Sequence, residues 1–287
     1  MGKARHREQT NGQLELVGVM GNGVVNVVIG TPIHRAGAYV LDRFLANQKE
    51  IQQKSPSSEL VLATVEHDFA DELEALLSSL GIRGKVLRYE TVRPYHAQSR
   101  VWGIVCGREA IRQYMLSQAE AQYLLCLDAD MTYDPDIIEI MEREIQGYDV
   151  VYSGSPLRDL GIALAGTGCC MLTVAVLEEV GFRCLEFKNG VVISEDNLLE
   201  LDLIRSGKRI KKGFFLAISH YENENLVKSI GPQRVGLYRR VTHSAFVRRV
   251  LIQASIALKH NVGWWLLTLE YRLLGAMRSI PVFPKRR

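Results

Sequence analysis

Short apolar runs alternate with segments of helical spacing through the first half of the chain. The β-branched run over 24–30 predicts a buried first strand, and apolar residues three and four positions apart predict a helix over 38–53. The alternation continues, with strands predicted at 60–65, 85–89, 123–127 and 148–152 and helices at 71–80, 108–120 and 136–146. Such alternation is typical of a mostly parallel sheet covered by helices, so the sequence predicts an α/β fold.

The second half is less regular. Its patterns predict helices over 172–180 and 195–206, a last strand over 214–219 and two further helical stretches over 244–258 and 263–279. The predicted organisation is a polar N-terminal arm over 1–23, a main domain over 24–233 and a basic helical C-terminal extension over 234–287.

Length and composition are those of an ordinary globular chain. The protein has 287 residues, of which 47% are hydrophobic and 23% are charged, which excludes disorder, collagen and coiled coil as its main state. The polar N-terminus has no apolar core of a secretory signal, and no run of about 18 apolar residues is present. We therefore expect a cytoplasmic protein, with peripheral attachment to the inner face of a membrane as the alternative that the C-terminal extension leaves open.

Charge is concentrated at the C-terminal end. Residues 234–287 hold eleven Lys and Arg against one acid, Glu270, so this extension carries +10 and the preceding residues carry −7. Either the extension meets an anionic partner such as a membrane surface, or it is an ordinary helical face packed on the acidic domain. Trp264 and Trp265 suit a helix in the lipid headgroup region or a helical lid packed on the domain, and packing is favoured because tryptophan is usually largely buried. A nucleic-acid partner is disfavoured, because no zinc-ligand spacing or aromatic RNA-binding motif is present.

Polar residues follow three of the predicted strands where each strand ends. The first strand ends in Thr31-Pro32, the second in Glu66-His67-Asp68 and the fourth in Asp128-Ala129-Asp130. Ligands gather at the carboxyl ends of parallel strands, and two carboxylates flanking one small residue suit Mg²⁺ or Mn²⁺. The alternative is that Asp130 and Asp134 cap the helix that begins near residue 136.

Four segments together resemble the GT-A-fold glycosyltransferases, in particular those of the family-2 type. The segment YLLCLDADMTYDPDII is similar to their metal- and nucleotide-binding signature, and VVIGTPIHRAGAYVLDRFLANQ to their opening strand, loop and helix. GTGCCMLTVAVLEEVGF is similar to their acceptor-side Gly-rich stretch, and SEDNLLELDLIRSGKRI to their Glu-Asp motif. The matching segments cover roughly residues 24–220 in the expected order. The resemblance implies a GT-A, Rossmann-like sheet flanked by helices.

The resemblance also implies a site for a nucleoside-diphosphate sugar. Its nucleotide-sugar-binding residues would be Thr31, Pro32, Glu66, Arg108, Asp128, Ala129 and Gly168. The chain departs from the family at the end of the second strand, so Glu66 and Asp68 both stay open for the contact to base or ribose. Arg108 would reach a phosphate or pyrimidine oxygen; the alternative is a solvent-facing residue in the first turn of its helix.

The metal and the catalytic groups are implied in the same way. Asp130, Asp128 and His220 would hold Mn²⁺ or Mg²⁺, which neutralises the charge of the departing diphosphate. Asp196 is the candidate general base of an inverting transfer, with Glu195 orienting the acceptor or exchanging roles with it. The alternative for this pair is that Ser194 and the two acids simply cap a helix.

The function expected from these residues is metal-dependent transfer of a sugar to a hydroxyl or polyprenyl-phosphate acceptor. A sugar-nucleotide-forming nucleotidyltransferase is a weaker alternative, because the stretch after the first strand is not a Gly-rich loop with Lys or Arg. A non-catalytic protein that binds lipid or nucleic acid through its basic extension is the third interpretation.

Overall fold

The computed structural model describes residues 25–156 and 162–261. The strands of this part of the chain are β1 (Val27–Pro32), β2 (Ser58–Thr64), β3 (Gly84–Arg88), β4 (Tyr123–Leu127), β5 (Met131–Tyr133), β6 (Val150–Ser153), β7 (Ser155–Pro156), β8 (Ile162–Ala163), β9 (Cys169–Thr173), β10 (Leu185–Glu186), β11 (Val192–Ile193), β12 (Ile210–Gly213), β13 (Ile218–Tyr221) and β14 (Val227–Ile230). The α-helices are α1 (Leu41–Lys54), α2 (His67–Leu80), α3 (Val101–Ser117), α4 (Ile137–Ile145), α5 (Val174–Glu179), α6 (Glu195–Arg205), α7 (Leu237–Thr242) and α8 (Ala245–Asn261), and a 3-10 helix over Arg35–Val40 precedes α1.

Within the described ranges the central sheet has seven strands in the order β12-β6-β9-β4-β1-β2-β3. All neighbouring pairs are parallel except those of β9, which runs antiparallel to both β4 and β6. A smaller antiparallel sheet, β14-β13-β5, stands at the carboxyl end of β4. The predicted α/β fold with a mostly parallel sheet is therefore confirmed.

Helices cover both faces of this sheet. Successive residues of a strand point to opposite faces, so Val27 and Ile29 join one buried cluster while Val28 joins the other. The first cluster receives the apolar sides of α1, α2 and α4, and the second those of α3, α5 and α6. Strands buried on both faces explain why the sequence shows continuous apolar runs without polar alternation.

Two glycines end helices as the sequence predicts. Gly81 follows α2 with a φ of 65° and Gly207 follows α6 with a φ of 68°. Both lie in the left-handed region, which glycine enters without the steric cost of a Cβ atom.

One predicted element is wrong and another differs in length. No strand covers 214–219: β12 ends at Gly213, β13 begins at Ile218, and the residues between them cross from one sheet to the other. Phe214 and Leu216 are buried, and apart from an isolated antiparallel bridge between Phe214 and Gln233 they belong to no strand that the structure describes, so their apolar character imitates a strand. The predicted helix over 172–180 is shorter, because Leu172 belongs to β9, which pairs on both sides.

The described part of the basic extension contains α7 and α8, and α8 corresponds to the helix predicted over 244–258. Its Arg248 reaches α6, donating through Nη2 to Asn197 Oδ1 at 3.1 Å and to Glu200 Oε2 at 2.5 Å. The predicted arm over 1–23, the helix predicted over 263–279 and the tryptophan pair lie outside the described residues. None of the helices that the structure describes is long and apolar enough to cross a bilayer.

Candidate active site

The polar strand ends meet because of strand register. Gly30 of β1 lies opposite Cys126 of β4, which brings Thr31 and Pro32 beside the end of β4. On the other side of β4, Leu127 pairs with Cys169, the first residue of antiparallel β9. Gly168, which precedes β9, therefore lies against Asp128, which follows β4, and the site forms at this edge of the sheet.

Gly168 touches the carboxylate of Asp128. A Cβ atom added at Gly168 would lie far inside contact distance of Asp128 Oδ2. The close approach of backbone and carboxylate thus requires glycine at this position. Sequence reasoning placed Gly168 in the site for its open backbone, and the structure shows that the atom it makes room for is a carboxylate oxygen.

Arg108 holds the other oxygen of Asp128. Its Nη2 donates to Asp128 Oδ1 at 2.7 Å, and the arginine is only 2% exposed. Because α3 begins at Val101, Arg108 lies in mid-helix, and the alternative of a solvent-facing residue in a first turn is wrong. Its Nε and Nη1 have no hydrogen-bond partner in the described part of the chain. Arg108 acts on the pocket through Asp128.

Tyr133 ties the two sides of the site together, and sequence reasoning missed it. Its hydroxyl donates to the carbonyl oxygen of Gly168 at 2.7 Å and accepts from the backbone N–H of Asp128 at 2.9 Å. Asn47 in α1 fixes the backbone of Tyr133 through two hydrogen bonds of 2.8 Å. The sequence carries no signal for this role beyond a tyrosine shortly after the acidic pair.

Asp130 and His220 face each other across the smaller sheet. His220 in β13 pairs in register with Met131 in β5, next to Asp130, and His220 Nε2 lies 3.4 Å from Asp130 Oδ2. His220 Nδ1 lies 3.0 Å from the carbonyl oxygen of Pro156. A carbonyl only accepts, so Nδ1 is the donor, and Nε2 is the ring nitrogen that faces Asp130. The alternative that Asp130 caps α4 is not what the structure shows, because Asp134 accepts the backbone N–H of Asp136 instead.

Asp196 is held by the Gly-rich loop from across the site. Both the backbone N–H and the hydroxyl of Thr167 donate to Asp196 Oδ1 at 2.7 Å. The alternative in which Ser194 caps α6 is not observed, because its side chain makes no capping hydrogen bond. Within the described residues, the hydrogen bonds of Asp196 all go to Oδ1, so Oδ2 is the oxygen available for a substrate proton.

Burial and mutual repulsion shift the protonation of the site carboxylates. Burial, and after it the neighbouring Asp196, raises the pKa of Glu195 to about 7, against an opposing effect of Arg108. Burial raises the pKa of Asp128 to about 6; Arg108 opposes this rise while Asp130 and Asp196 add to it. The structure thus brings Arg108, Asp128, Glu195 and Asp196 into one electrostatic neighbourhood.

The Glu195→Gln variant is expected to be more stable than the wild type at pH above 7. The folded pKa of about 7 lies above the ordinary value of 4.5, so the folded state binds more protons between these values and stability falls as pH rises. Glutamine carries no charge to bury, so above pH 7 the free energy of unfolding of the variant should exceed that of the wild type by up to about 3 kcal/mol. Urea unfolding across this pH range measures it, with Glu179→Gln at an exposed ion pair as the matched control. If the free energy of unfolding of Glu195→Gln fell with rising pH as steeply as that of the wild type, the prediction would be contradicted.

The remaining predicted nucleotide-binding residues line the same edge of the sheet. Glu66 Oε2 accepts the backbone N–H of Arg35 at 2.7 Å, whereas Asp68 is exposed and pairs with the Arg35 guanidinium at 2.9 Å. The Thr31 hydroxyl is buried and has no hydrogen-bond partner among the described residues. Pro32 lies against Gly107, where an added Cβ would be 3.1 Å from Pro32 Cβ. The roles of these residues, and that of the half-buried Ala129, stay predictions.

No protein-family model and no curated protein sequence matches the chain. Among solved structures it is similar to the mannosyltransferase PcManGT from Pyrobaculum calidifontis in complex with GDP-Man and Mn²⁺, with a TM-score of 0.47 and 12% identity over 66% of this chain and 55% of that one. It is also similar to TarS from S. aureus, in complex with UDP-GlcNAc (TM-score 0.47, 14% identity, 83% and 68% covered) and with UDP (0.46, 13%, 65% and 57%).

The matched part is thus little more than half of the mannosyltransferase and between about a half and two thirds of TarS. TM-scores below 0.5 leave the function of this chain to be argued from its own site.

Proposed function

We propose that this chain is a metal-dependent glycosyltransferase, which moves a sugar from a nucleoside-diphosphate sugar to an acceptor with inversion at the anomeric carbon. The observation that carries the proposal is that carboxylates from two parts of the chain, the end of β4 and the start of α6, contact neighbouring residues of the Gly-rich loop. Asp128 lies against Gly168, with Asp130 two residues further along the chain, and Thr167, which precedes Gly168, donates two hydrogen bonds to Asp196. Such an arrangement offers separate places for a diphosphate and for an acceptor hydroxyl.

The donor set at Asp130 and His220 fits a divalent cation. One carboxylate oxygen and one imidazole nitrogen face each other, and both atom types bind Mn²⁺ or Mg²⁺. Among the described residues no three His, Cys, Asp or Glu side chains gather as a closed metal site. Mg²⁺ is commonly held by one or two carboxylates together with substrate phosphates. Asp130 and His220 would therefore supply part of the ligands, and the diphosphate of the donor would supply others. Bound there, the cation would neutralise charge on the departing diphosphate.

Asp196 would serve as the general base. The acceptor hydroxyl gives its proton to Asp196 Oδ2 as its oxygen attacks the anomeric carbon, and the bond from that carbon to the diphosphate oxygen breaks. Thr167 supports the ionised carboxylate by donating two hydrogen bonds to Oδ1. Attack from the side opposite the leaving group inverts the anomeric centre. Glu195, with its pKa of about 7, would orient the acceptor while carrying a proton part of the time.

Arg108 would be a positioning residue for the donor. It is too buried to meet a ligand directly, and its guanidinium fixes Asp128 at 2.7 Å. Asp128 would then contact the ribose or, through water, the cation. Thr31, Pro32 and Glu66 at the neighbouring strand ends would surround the nucleotide.

The Asp130→Ala variant is expected to lose metal-dependent nucleotide binding while keeping its fold. Asp130 supplies the carboxylate of the proposed cation site, so UDP or GDP would bind the wild type more tightly with Mn²⁺ than without it, and the variant would lose the difference. Calorimetric titration with both nucleotides, with and without Mn²⁺, measures this. The control is Asp134→Ala, at the other end of β5. The Asp134 carboxylate accepts from the backbone N–H of Asp136 at the start of α4, so this variant should behave as the wild type. Folded protein that binds neither nucleotide would contradict the proposal for these two donor classes.

The described basic extension supports attachment to an anionic membrane surface. Large apolar side chains on α7 and α8 are exposed to solvent, namely Leu237, Tyr238, Val241, Phe246, Val250, Leu251 and Leu258. Arg239, Arg240 and Arg249 lie among them, and no Asp or Glu occurs between Glu224 and Glu270. Exposed apolar side chains combined with an excess of cationic ones are typical of helices in the headgroup region. This attachment would suit a lipid-linked acceptor such as a polyprenyl phosphate.

A further inference from the structure

A second polar cavity lies away from the carboxylates of the candidate active site. Its volume is about 480 Å³, and it lies between the edge strand β12, the C-terminal end of α6 and α7. We call it the basic cavity, because its lining includes Lys208, Lys211, Lys212, Arg239, Arg240 and His243. None of the lining residues that the structure describes is Asp or Glu. No residue of this lining belongs to the candidate active site.

The lysines of the basic cavity are already neutralised from outside it. Each pairs with a glutamate that is not part of the lining, namely Glu179, Glu144 and Glu200. The two arginines differ, since neither makes an ion pair within the described ranges. Arg239 lies over the ring of Phe214 at 5.4 Å, and Arg240 Nε donates to the carbonyl oxygen of Val235 at 3.0 Å. The cavity therefore offers two guanidinium groups for which the described ranges hold no anionic partner.

His243 adds an unsatisfied polar atom to the same cavity. Its Nδ1 is buried and has no hydrogen-bond partner among the described residues. Burial lowers the pKa of His243, and the neighbouring Lys212, Arg248 and Arg239 lower it further, against an opposing effect of Glu200. The ring is thus kept neutral by surrounding cations, and an anion in the cavity would favour its protonation.

We propose that the basic cavity binds a phosphate monoester whose organic part is apolar. A phosphate monoester carries close to two negative charges at pH 7 and three acceptor oxygens, which suits two guanidinium groups better than a single carboxylate does. Phe214, Phe215, Ile204 and Ile210 form the apolar part of the lining and would contact the organic group. The volume is that of a small-molecule site and exceeds what a free phosphate ion needs.

The test uses phenyl phosphate and inorganic phosphate as soluble probes and vesicles containing phosphatidic acid as the lipid probe. Calorimetry measures the soluble probes, co-sedimentation measures the vesicles, and NMR follows the His243 ring. In the variant Arg239→Gln with Arg240→Gln, we expect the Kd of phenyl phosphate to rise roughly tenfold or more. The matched control is Arg93→Gln with Arg234→Gln, which removes the same charge from exposed arginines outside the lining and outside α7 and α8.

Each outcome decides the proposal. Weaker binding of phenyl phosphate in the cavity variant alone, with a rise in the pKa of His243 when the probe binds the wild type, supports it for a soluble ester. Binding of vesicles only, again lost in the cavity variant alone, supports it with a lipid headgroup as the source. Equal weakening in both double variants indicates general charge attraction and overturns it. Absence of binding of all probes to folded wild-type protein overturns it as well, and none of these results depends on glycosyl transfer.

Discussion

The Asp196→Asn variant is expected to lower the rate of sugar transfer by roughly 10²- to 10⁴-fold, the usual contribution of a general base. Asparagine keeps the shape of the side chain, and its Oδ1 can still accept both hydrogen bonds from Thr167. What it loses is the oxygen that would take the acceptor proton in the proposed mechanism. The loss should therefore fall on kcat, while the Kd of the donor nucleotide changes little. Single-turnover transfer together with nucleotide titration separates the two.

Asp202→Asn is the matched control for this prediction. Asp202 lies on the same helix α6 but pairs with the half-exposed Arg183 at 2.6 Å, away from Thr167. Its loss should leave transfer unchanged and cost at most about 1 kcal/mol of stability, as for other partly exposed ion pairs. If Asp196→Asn transferred sugar at the wild-type rate, Asp196 would not be the base, and Glu195→Gln would be the next variant to measure.

The Glu200→Gln variant is expected to lose about 3–5 kcal/mol of unfolding free energy, the usual cost of removing one partner from a buried ion pair. Glu200 is 2% exposed and accepts from Lys212 and from Arg248, whose Nε lies 2.8 Å from Glu200 Oε2. This triad joins α6, β12 and α8. Without the carboxylate, two cations remain side by side in a poorly solvated place. Urea unfolding of the full chain measures the loss.

The stability loss of the Glu200→Gln variant is also expected to depend on pH. Burial already lowers the pKa of Lys212, and Glu200 opposes that effect. Removing Glu200 therefore lowers the pKa of Lys212 further, so the penalty should shrink as pH rises and Lys212 gives up its proton. Glu144→Gln is the control, because its partner Lys211 is 32% exposed and the expected loss is within about 1 kcal/mol. A loss in Glu200→Gln no larger than in this control would mean that the triad adds little to stability.

Much of the fold could be predicted from local pattern. Buried parallel strands need apolar side chains on both faces, so β1, β2 and β4 are visible in the sequence as continuous runs. The prediction is wrong at Phe214 and Leu216, which are buried but lie between β12 and β13, because burial alone does not distinguish a strand from a core-filling loop. It also failed at Leu172, where a strand passes into a helix without a turn residue.

For the candidate site, too, the sequence determines some features and leaves others to the tertiary structure. The sequence by itself determined which residues stand at strand and helix ends: Asp128 and Asp130 after β4, and Glu195 and Asp196 at the start of α6. These positions follow from contacts within a few residues of chain, which periodicity and motif spacing report.

Only the tertiary structure decided which of these residues meet. Thr167 binds Asp196 across 29 positions and Arg108 binds Asp128 across 20, and His220 reaches Asp130 through the pairing of β13 with β5. Tyr133 and Glu200 likewise make their contacts with residues that are distant along the chain. The register between strands and the packing of helices on the sheet create these contacts, and neither leaves a local signature, because both depend on residues far away along the chain.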